Sequence, residues 1–295
     1  MTAQIRETTL RAGEISFGAL EAGERGRLLL CLHGFPDNAW TFRYQLETFS
    51  NLGYHVVAPF QRGYFPTSPA PNGVYQSAAL AQDVIALIDA LAYERAAVIG
   101  HDWGALAGYG AAILAPERLS RLVAIAVPHG PAVLEAFLSD YDQLRRSWYM
   151  FFFLTPFADA AVKHDDFRFL ERLWRDWSPT WNVPAEAIEC VKQTFRHPGV
   201  LEAALSYYRC TLDPGRQDPQ LSAIQATLSM SPVAVPTLAI HGKEDGCIGS
   251  YLLEGMEALF PRGLEKFVVE GAGHFVHQEK PDLVNERIAR FLSGT

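Results

Sequence analysis

The sequence has no surplus of positive charge. Of its 295 residues, 25 are lysine or arginine and 33 are aspartate or glutamate, which gives a formal net charge of −8. Binding to nucleic acid or docking on an anionic membrane requires a cationic face, so the composition argues against both kinds of partner. The chain contains 49% hydrophobic and 20% charged residues, which is typical of a soluble globular protein and not of a disordered or collagen-like one.

Cysteine is scarce, and long apolar runs are missing. The four cysteines form no C-x-x-C pair, and no spacing of His, Cys and carboxylate residues is typical of a metal site. The longest aromatic stretch, 148–157, is far shorter than the roughly 20 apolar residues that span a bilayer. The first residues lack the apolar run of a signal peptide, and the glycines form no phosphate loop or dinucleotide fingerprint. We therefore expect a cytoplasmic protein with reduced cysteines, no metal and no cofactor.

Short apolar runs alternate with helical patterns along most of the chain. Runs of four to eight such residues are typical of strands that are covered on both faces, as in a parallel sheet. The predicted strands are 28–32, 54–60, 96–99, 122–127, 237–240 and 265–269. The predicted helices between and after them are 76–91, 105–114 and 282–292. This alternation predicts an α/β fold with a mostly parallel, doubly wound sheet.

The alternation stops at residues 128–130 and resumes near Pro236. The segment between contains four candidate helices, 131–146, 165–174, 184–195 and 200–210, separated by prolines. Residues 131–230 hold 16 of the 35 aromatic residues of the chain. We therefore expect two domains, a core of 1–130 and 231–295 and a helical cap of 131–230 over a site. The alternative is that the rings only fill the interior of a small subdomain.

The predicted strand 96–99 leads into Gly100-His101-Asp102-Trp103-Gly104, which a helix follows. Small residues two positions either side of a central residue allow the sharp turn of a nucleophile elbow, which projects the central side chain above the sheet. The usual central residue is serine, whereas here it is Asp102. The alternative is an aspartate that only caps the helix N-terminus.

Three further positions support the elbow. Asp245 lies just past the strand 237–240, and His274 lies on a glycine-bounded loop after the strand 265–269. The chain order nucleophile, acid, histidine is that of the α/β-hydrolases. Phe35 follows His33-Gly34 after the strand 28–32, so the backbone amides of Phe35 and Trp103 are expected to form an oxyanion hole. Glu135, the other candidate for the acid, lies eight residues past its strand, so Asp245 is preferred.

Together these motifs resemble the α/β-hydrolase superfamily, with a helical cap inserted in the fold. His33-Gly34-Phe35-Pro36, Gly100-His101-Asp102-Trp103-Gly104, Asp245 and Gly273-His274-Phe275 resemble the branch with an aspartate nucleophile, the soluble epoxide hydrolases and haloalkane dehalogenases. A carboxylate is already ionised at neutral pH, and its attack on a saturated carbon gives an alkyl ester that water can cleave. We therefore expect a catalytic triad of Asp102, Asp245 and His274, in which His274 activates that water.

The resemblance also implies two cap tyrosines that protonate an opening epoxide. Tyr149 begins a Tyr-x-x-x-Phe stretch that ends at Phe153, and Tyr208 lies in a Tyr-Tyr-Arg triplet, as in epoxide hydrolases. Leu154 departs from the family pattern. With Phe35 and Trp103, these two tyrosines and Phe153 are expected to bind substrate.

We therefore predict an epoxide hydrolase, monomeric or homodimeric, whose partners are a small apolar epoxide and water. A haloalkane dehalogenase with the same Asp-His-Asp residues is the alternative, because the indole N–H of Trp103 could hold a halide. A ligand receptor without catalytic duty is a third reading, since fold alone does not decide function.

Overall fold

A computed structural model describes residues 4–71 and 73–294 of the chain. The strands are β1 Arg6–Ala12, β2 Ile15–Ala22, β3 Leu28–Leu32, β4 His55–Pro59, β5 Ala96–His101, β6 Leu119–Ile125, β7 Thr237–Gly242 and β8 Leu264–Val269. They form one eight-stranded sheet in the order β1-β2-β4-β3-β5-β6-β7-β8.

Twelve α-helices accompany the strands in the part of the chain that the structure describes. They are α1 Arg43–Asn51, α2 Ser77–Ala90, α3 Trp103–Leu114, α4 Ala132–Ser139, α5 Tyr141–Arg146, α6 Trp148–Phe152, α7 Ala158–Trp177, α8 Ala185–Arg196, α9 Val200–Leu212, α10 Ser222–Thr227, α11 Val276–Glu279 and α12 Pro281–Ser293. Within these described residues, no helix is both long enough and apolar enough to cross a membrane.

The central strands are covered on both faces. Every residue of β3, β4 and β5 is buried, as their uninterrupted apolar runs predict. The strands from β4 through β3 to β8 pair in parallel, and only the pairs that involve β2 are antiparallel. The predicted mostly parallel, doubly wound sheet is therefore confirmed. In such a sheet ligands bind at the carboxyl ends of the strands, which all open onto one edge.

The N-terminal hairpin of β1 and β2 was missed in the sequence. In β1 the side chains alternate between exposed and partly buried positions, and the strand RETTLRA contains no apolar run. Arg6 faces Glu21 across the hairpin in register, and their side chains form an ion pair at 3.0 Å. The pairing depends on this distant partner, which a local pattern does not reveal.

Residues 131–230, all of them described, form helices and turns and contain no strand. The single helix predicted over 131–146 is wrong, because the side chain of Asp140 caps a new helix by accepting from the amides of Asp142 and Gln143. The helix predicted over 165–174 is longer, since α7 extends to Trp177, although non-helical backbone at residues 164–167 interrupts it. The division into core and cap domains stays a prediction.

Candidate active site

The strand β5 ends in a sharp turn that carries Asp102. Asp102 has φ 52° and ψ −118°, a conformation that residues other than glycine rarely adopt. Such strain costs about 1–3 kcal/mol and persists only where the surroundings enforce it. The turn requires glycine on both sides. A Cβ on Gly100 would overlap the carbonyl of Gly104, and one on Gly104 would overlap the carbonyl of Leu32.

Two backbone amides face the carboxylate of Asp102. The amide of Phe35 donates to Oδ1 at 2.7 Å, and the amide of Trp103 lies near enough to stabilise the negative charge and lower the pKa. Gly34 allows this approach, because a Cβ there would overlap the carboxylate. Burial raises the pKa of Asp102 above its ordinary value, while His274 and the two amides oppose that rise. The structure thus brings together the two amides that the sequence places at an oxyanion hole.

A histidine and a second aspartate reach Asp102 from the loops after β8 and β7. The Nδ1 of His274 lies 2.9 Å from the Oδ2 of Asp245, and its Nε2 lies 3.8 Å from the Oδ2 of Asp102. The Oδ1 of Asp245 accepts from the amides of Cys247 and Ile248 at 2.7 and 3.0 Å. The acid is therefore fixed by its own loop, and it orients the imidazole toward Asp102.

Asp245 and His274 shift each other's pKa through their opposite charges. Burial alone would raise the pKa of Asp245, but the rings of His274 and His241 outweigh it and hold that pKa well below its usual range. Burial alone would lower the pKa of His274, but Asp245 outweighs it and the pKa of His274 lies well above its usual value. The imidazolium is thus favoured near neutral pH. Glu135, the other candidate acid, is exposed on α4.

Tyr149 of α6 and Tyr208 of α9 lie over this turn. Their ring centroids are 5.6 Å apart, and Tyr208 packs on the rings of Phe35 and Trp103 at 5.3 and 4.9 Å. Phe153 contacts Phe35 and Tyr208 at 5.4 and 5.1 Å. Burial raises the pKa of both tyrosines well above the usual value. Both hydroxyls therefore remain protonated and able to donate.

Several buried polar atoms at the site have no hydrogen-bond partner among the described residues. They are the hydroxyl of Tyr208, the Nε2 of His274 and the indole Nε1 of Trp103. Buried polar groups are normally paired, so atoms of this kind are available to a bound molecule. The hydroxyl of Tyr149 differs, since it lies 3.2 Å from the Sγ of Cys247.

Three neighbours of the site were missed in the sequence. The ring of Trp177 lies 5.1 Å from that of His274 and 4.8 Å from that of Tyr149, beyond the predicted end of its helix. His241 was interpreted as isolated, yet its Nε2 lies 3.0 Å from the Oδ2 of Asp245. Cys247 was interpreted only as a small buried residue. The spacing of four residues between His241 and Asp245 was the one available signal.

Among the described residues, two buried clusters contain residue types that can bind metal. Donor atoms of Asp245, Cys247 and His274 lie within 4.8 Å of one another, as do those of a second cluster, Asp37, His101 and His277. In the first, the carboxylate and the imidazole are already hydrogen-bonded to each other. This ion pair gives both side chains a role without a metal, and the absence of a metal and a cofactor stays a prediction.

The chain matches known proteins over almost its whole length. Residues 27–281 match the family model of the alpha/beta hydrolase fold. The chain is 32% identical to the AB hydrolase superfamily protein YfhM of Bacillus subtilis, with 92% of each chain covered. It is 31% identical to Epoxide hydrolase 4 of Homo sapiens, with 98% of this chain and 77% of the human one covered.

A solved structure agrees with these sequence matches. The structure of Epoxide Hydrolase A from Mycobacterium thermoresistibile has a TM-score of 0.83 with this chain at 27% identity, and 99% of each chain is covered. An aspartate-centred elbow, an acid after β7 and a histidine after β8 on a doubly wound sheet define an α/β-hydrolase. The chain belongs to the α/β-hydrolase fold family. Within that family, it is similar to proteins named epoxide hydrolases.

Proposed function

We propose that this chain hydrolyses small apolar epoxides to vicinal diols through an ester on Asp102. The observation that carries the proposal is a carboxylate at the elbow that accepts from the amide of Phe35, faces the amide of Trp103 and has the Nε2 of His274 3.8 Å away. Two buried tyrosines beside it supply the proton that an opening epoxide needs. The similarity to proteins named epoxide hydrolases supports the same reaction.

In the first step, one oxygen of Asp102 attacks a ring carbon of the epoxide. A carbon–oxygen ester bond forms as the ring carbon–oxygen bond breaks, and the electron pair stays on the epoxide oxygen. That oxygen takes a proton from Tyr149 or Tyr208, and the imidazolium of His274 returns one to the phenolate. This leaves His274 neutral, and esterification removes the negative charge of Asp102 that favoured its protonated form.

In the second step, His274 acts as a base. Its Nε2 takes a proton from water, and the resulting hydroxide adds to the side-chain carbonyl carbon of Asp102. The negative charge develops on an oxygen of Asp102 that faces the amides of Phe35 and Trp103. The bond between this carbonyl carbon and the alkyl-bearing oxygen then breaks, and that oxygen takes the proton from His274 as the diol leaves. The carboxylic acid of Asp102 finally gives its proton to His274, which restores the carboxylate and the imidazolium.

The helices between β6 and β7 form the cap in this proposal. Asp102 is only 6% exposed, and Tyr149 and Tyr208 are 2% and 1% exposed, so water is largely excluded from the site. The rings around the nucleophile are apolar, which suits a small apolar epoxide with water as the second substrate. We propose a cytoplasmic enzyme, monomeric or homodimeric, that uses no cofactor.

One observation favours a second candidate, a haloalkane dehalogenase. The indole Nε1 of Trp103 is buried beside the nucleophile and has no hydrogen-bond partner among the described residues. An N–H donor of this kind can hold a departing halide, which needs no proton. The tyrosines separate the two reactions, because only the epoxide oxygen requires an acid.

The deciding experiment assays styrene oxide and a bromoalkane with the wild type and the Tyr149→Phe/Tyr208→Phe double variant. Because each hydroxyl acts mainly in the transition state, its loss should lower kcat and not only raise KM. A lost donor of this kind typically costs roughly 10²–10³-fold. The double variant should lose at least that factor with styrene oxide, and the single variants less, since one hydroxyl partly replaces the other.

Tyr207→Phe is the matched control. Tyr207 is the buried neighbour of Tyr208, and its hydroxyl donates to the carbonyl of Arg62 at 2.8 Å, away from the nucleophile. Its kcat should stay near that of the wild type. Full epoxide activity in the double variant would remove the tyrosines from the mechanism. Bromoalkane turnover alone would indicate the dehalogenase, and stoichiometric binding without turnover would indicate a receptor.

A further inference from the structure

The segment before Tyr149 is fastened to the loop that carries Asp245. The side chain of Gln143 is fully buried, and its Nε2 donates to the carbonyl of Cys247 at 3.0 Å. Its Oε1 accepts from the amide of Gly249 at 2.9 Å. These bonds join a cap helix and the acid loop into one rigid unit.

Cys247 occupies the centre of this junction. Its amide donates to the Oδ1 of Asp245 at 2.7 Å, which fixes its backbone. Its Sγ lies 3.2 Å from the hydroxyl oxygen of Tyr149, the partner that the structure gives this hydroxyl among the described residues. The nearby hydroxyl of Tyr208 is equally buried and has no partner there. The two tyrosines are therefore not equivalent.

The direction of the proton decides what this contact does. If Tyr149 donates to sulfur, its O–H points away from a substrate. If the thiol donates, the phenol oxygen is the acceptor and its own O–H is free to point at the epoxide oxygen. The ring of His274 also lies beside the Cys247 sulfur, but as an imidazolium whose Nδ1 is bonded to Asp245 it has no nitrogen free to accept the thiol proton. Burial raises the pKa of the Cys247 thiol, which keeps the proton on sulfur.

We propose that Cys247 is a positioning residue for epoxide opening, whose S–H donates to Tyr149 and directs the O–H of Tyr149 at the epoxide oxygen. This role of Cys247 rests on the proposed function. It also identifies Tyr149 as the tyrosine whose O–H is oriented to protonate the epoxide oxygen. A thiol is a weak donor, and a net hydrogen bond is worth about 0.5–1.5 kcal/mol. Loss of the thiol should therefore slow ester formation by roughly 3- to 10-fold.

The test measures single turnovers of styrene oxide with Cys247→Val and Cys247→Ser. Valine is apolar, slightly larger than cysteine and unable to donate, whereas serine keeps a donor. Ester formation should slow about 3- to 10-fold in Cys247→Val and stay within about twofold of wild type in Cys247→Ser. Hydrolysis of the ester should be unchanged in both, because Tyr149 acts in the first step. Thermal melts show whether each variant is folded.

A double-mutant cycle makes the test specific. The effect of Cys247→Val should vanish in a Tyr149→Phe background and persist in a Tyr208→Phe background. Equal losses in both backgrounds, or a slower second step, would place the role of Cys247 on Asp245 and overturn the proposal. A wild-type rate of ester formation in Cys247→Val would overturn the proposed role of Cys247 and leave the proposed function intact. A wild type that forms no ester would overturn the proposed function as well.

Discussion

The carboxylate of Asp102 is under opposing influences. Burial makes its negative charge costly, whereas the amides of Phe35 and Trp103 and the ring of His274 stabilise it. In the proposed ester, the same amides face the carbonyl oxygen where charge develops as water attacks. One pair of donors therefore serves both steps.

The raised pKa of Asp102 gives a pH prediction for ester formation. A carboxyl whose pKa is raised becomes protonated at a higher pH than an ordinary aspartate, and only the ionised form attacks. The single-turnover rate of ester formation should therefore fall on acidification at a pH above about 3.9, the ordinary aspartate value. Rapid-quench measurements across the acid range check this. A rate that stays constant down to that pH would contradict the assigned environment of Asp102.

The residues that sequence analysis placed at the site share a local signal. Asp102, Asp245 and His274 each follow an apolar strand at a glycine-containing turn, so a short window reveals them. Trp177 contacts the triad through tertiary packing and carries no local mark of it, whereas the contact of His241 with Asp245 is signalled only by their spacing of four residues. The catalytic roles themselves stay predictions until they are measured.

The element that matters most is the turn between β5 and α3, and it depends on the loop after β3. That loop brings Gly34 against the side chain of Asp102, with the amide of Phe35 aimed at the carboxylate. The ring of His33 supports the loop, because its Nε2 accepts from the amide of Gln61 at 2.9 Å. The elbow is therefore a joint product of two neighbouring strands.

We expect Gly34→Ala to inactivate the protein. Its Cβ would overlap the carboxylate of Asp102, and a displacement of about 1 Å in a reacting group can cost about 10²-fold. The kcat/KM for styrene oxide should fall by about that factor or more. Gly215→Ala is the control, since its Cβ meets only the flexible carboxylate of Asp213. Equal activity of the two variants would show that the close contact between Gly34 and the carboxylate does not position Asp102.

Elements with apolar runs were predictable, and those without them were not. The strands β3, β5 and β7 begin with short, mostly apolar runs and were predicted to within two residues. The strand β1 has few apolar side chains. Its Arg6 forms an ion pair with Glu21 of β2, which lies 15 residues further along the chain. The break at Asp140 follows from side-chain capping, which the helical periodicity of 131–146 conceals.

At the scale of the whole molecule, buried hydrogen bonds join the helices of 131–230 to the segment that follows β3. The indole of Trp174 donates to the carbonyl of Pro36 at 2.7 Å, next to the loop that binds Asp102. The Nδ2 of Asn38 donates to the Oγ1 of Thr194 in α8 at 3.0 Å. The sequence predicted where the alternation of strands and helices stops and where it resumes. It did not predict these contacts, which arise only when the chain is folded.

Thr194→Val tests whether this joint stabilises the fold. Valine keeps the shape and removes the acceptor of Asn38, so the free energy of unfolding should fall by about 1 kcal/mol. Thr211→Val is the control, because the Oγ1 of Thr211 donates to the carbonyl of Tyr207 within its own helix. Denaturant titrations measure both. If the free energy of unfolding falls no more in Thr194→Val than in Thr211→Val, the hydrogen bond between Asn38 and Thr194 does not stabilise the fold.

The central claim is a covalent ester on Asp102, and one isotope measurement tests it most directly. A single turnover of styrene oxide is run in ¹⁸O-water with enzyme in excess, and the diol and the peptide that contains Asp102 are analysed by mass spectrometry. Because water attacks the carbonyl carbon of Asp102, the heavy oxygen should remain in the enzyme and be absent from the diol. Heavy oxygen in the first-turnover diol would mean direct attack by water on the epoxide and would contradict the mechanism.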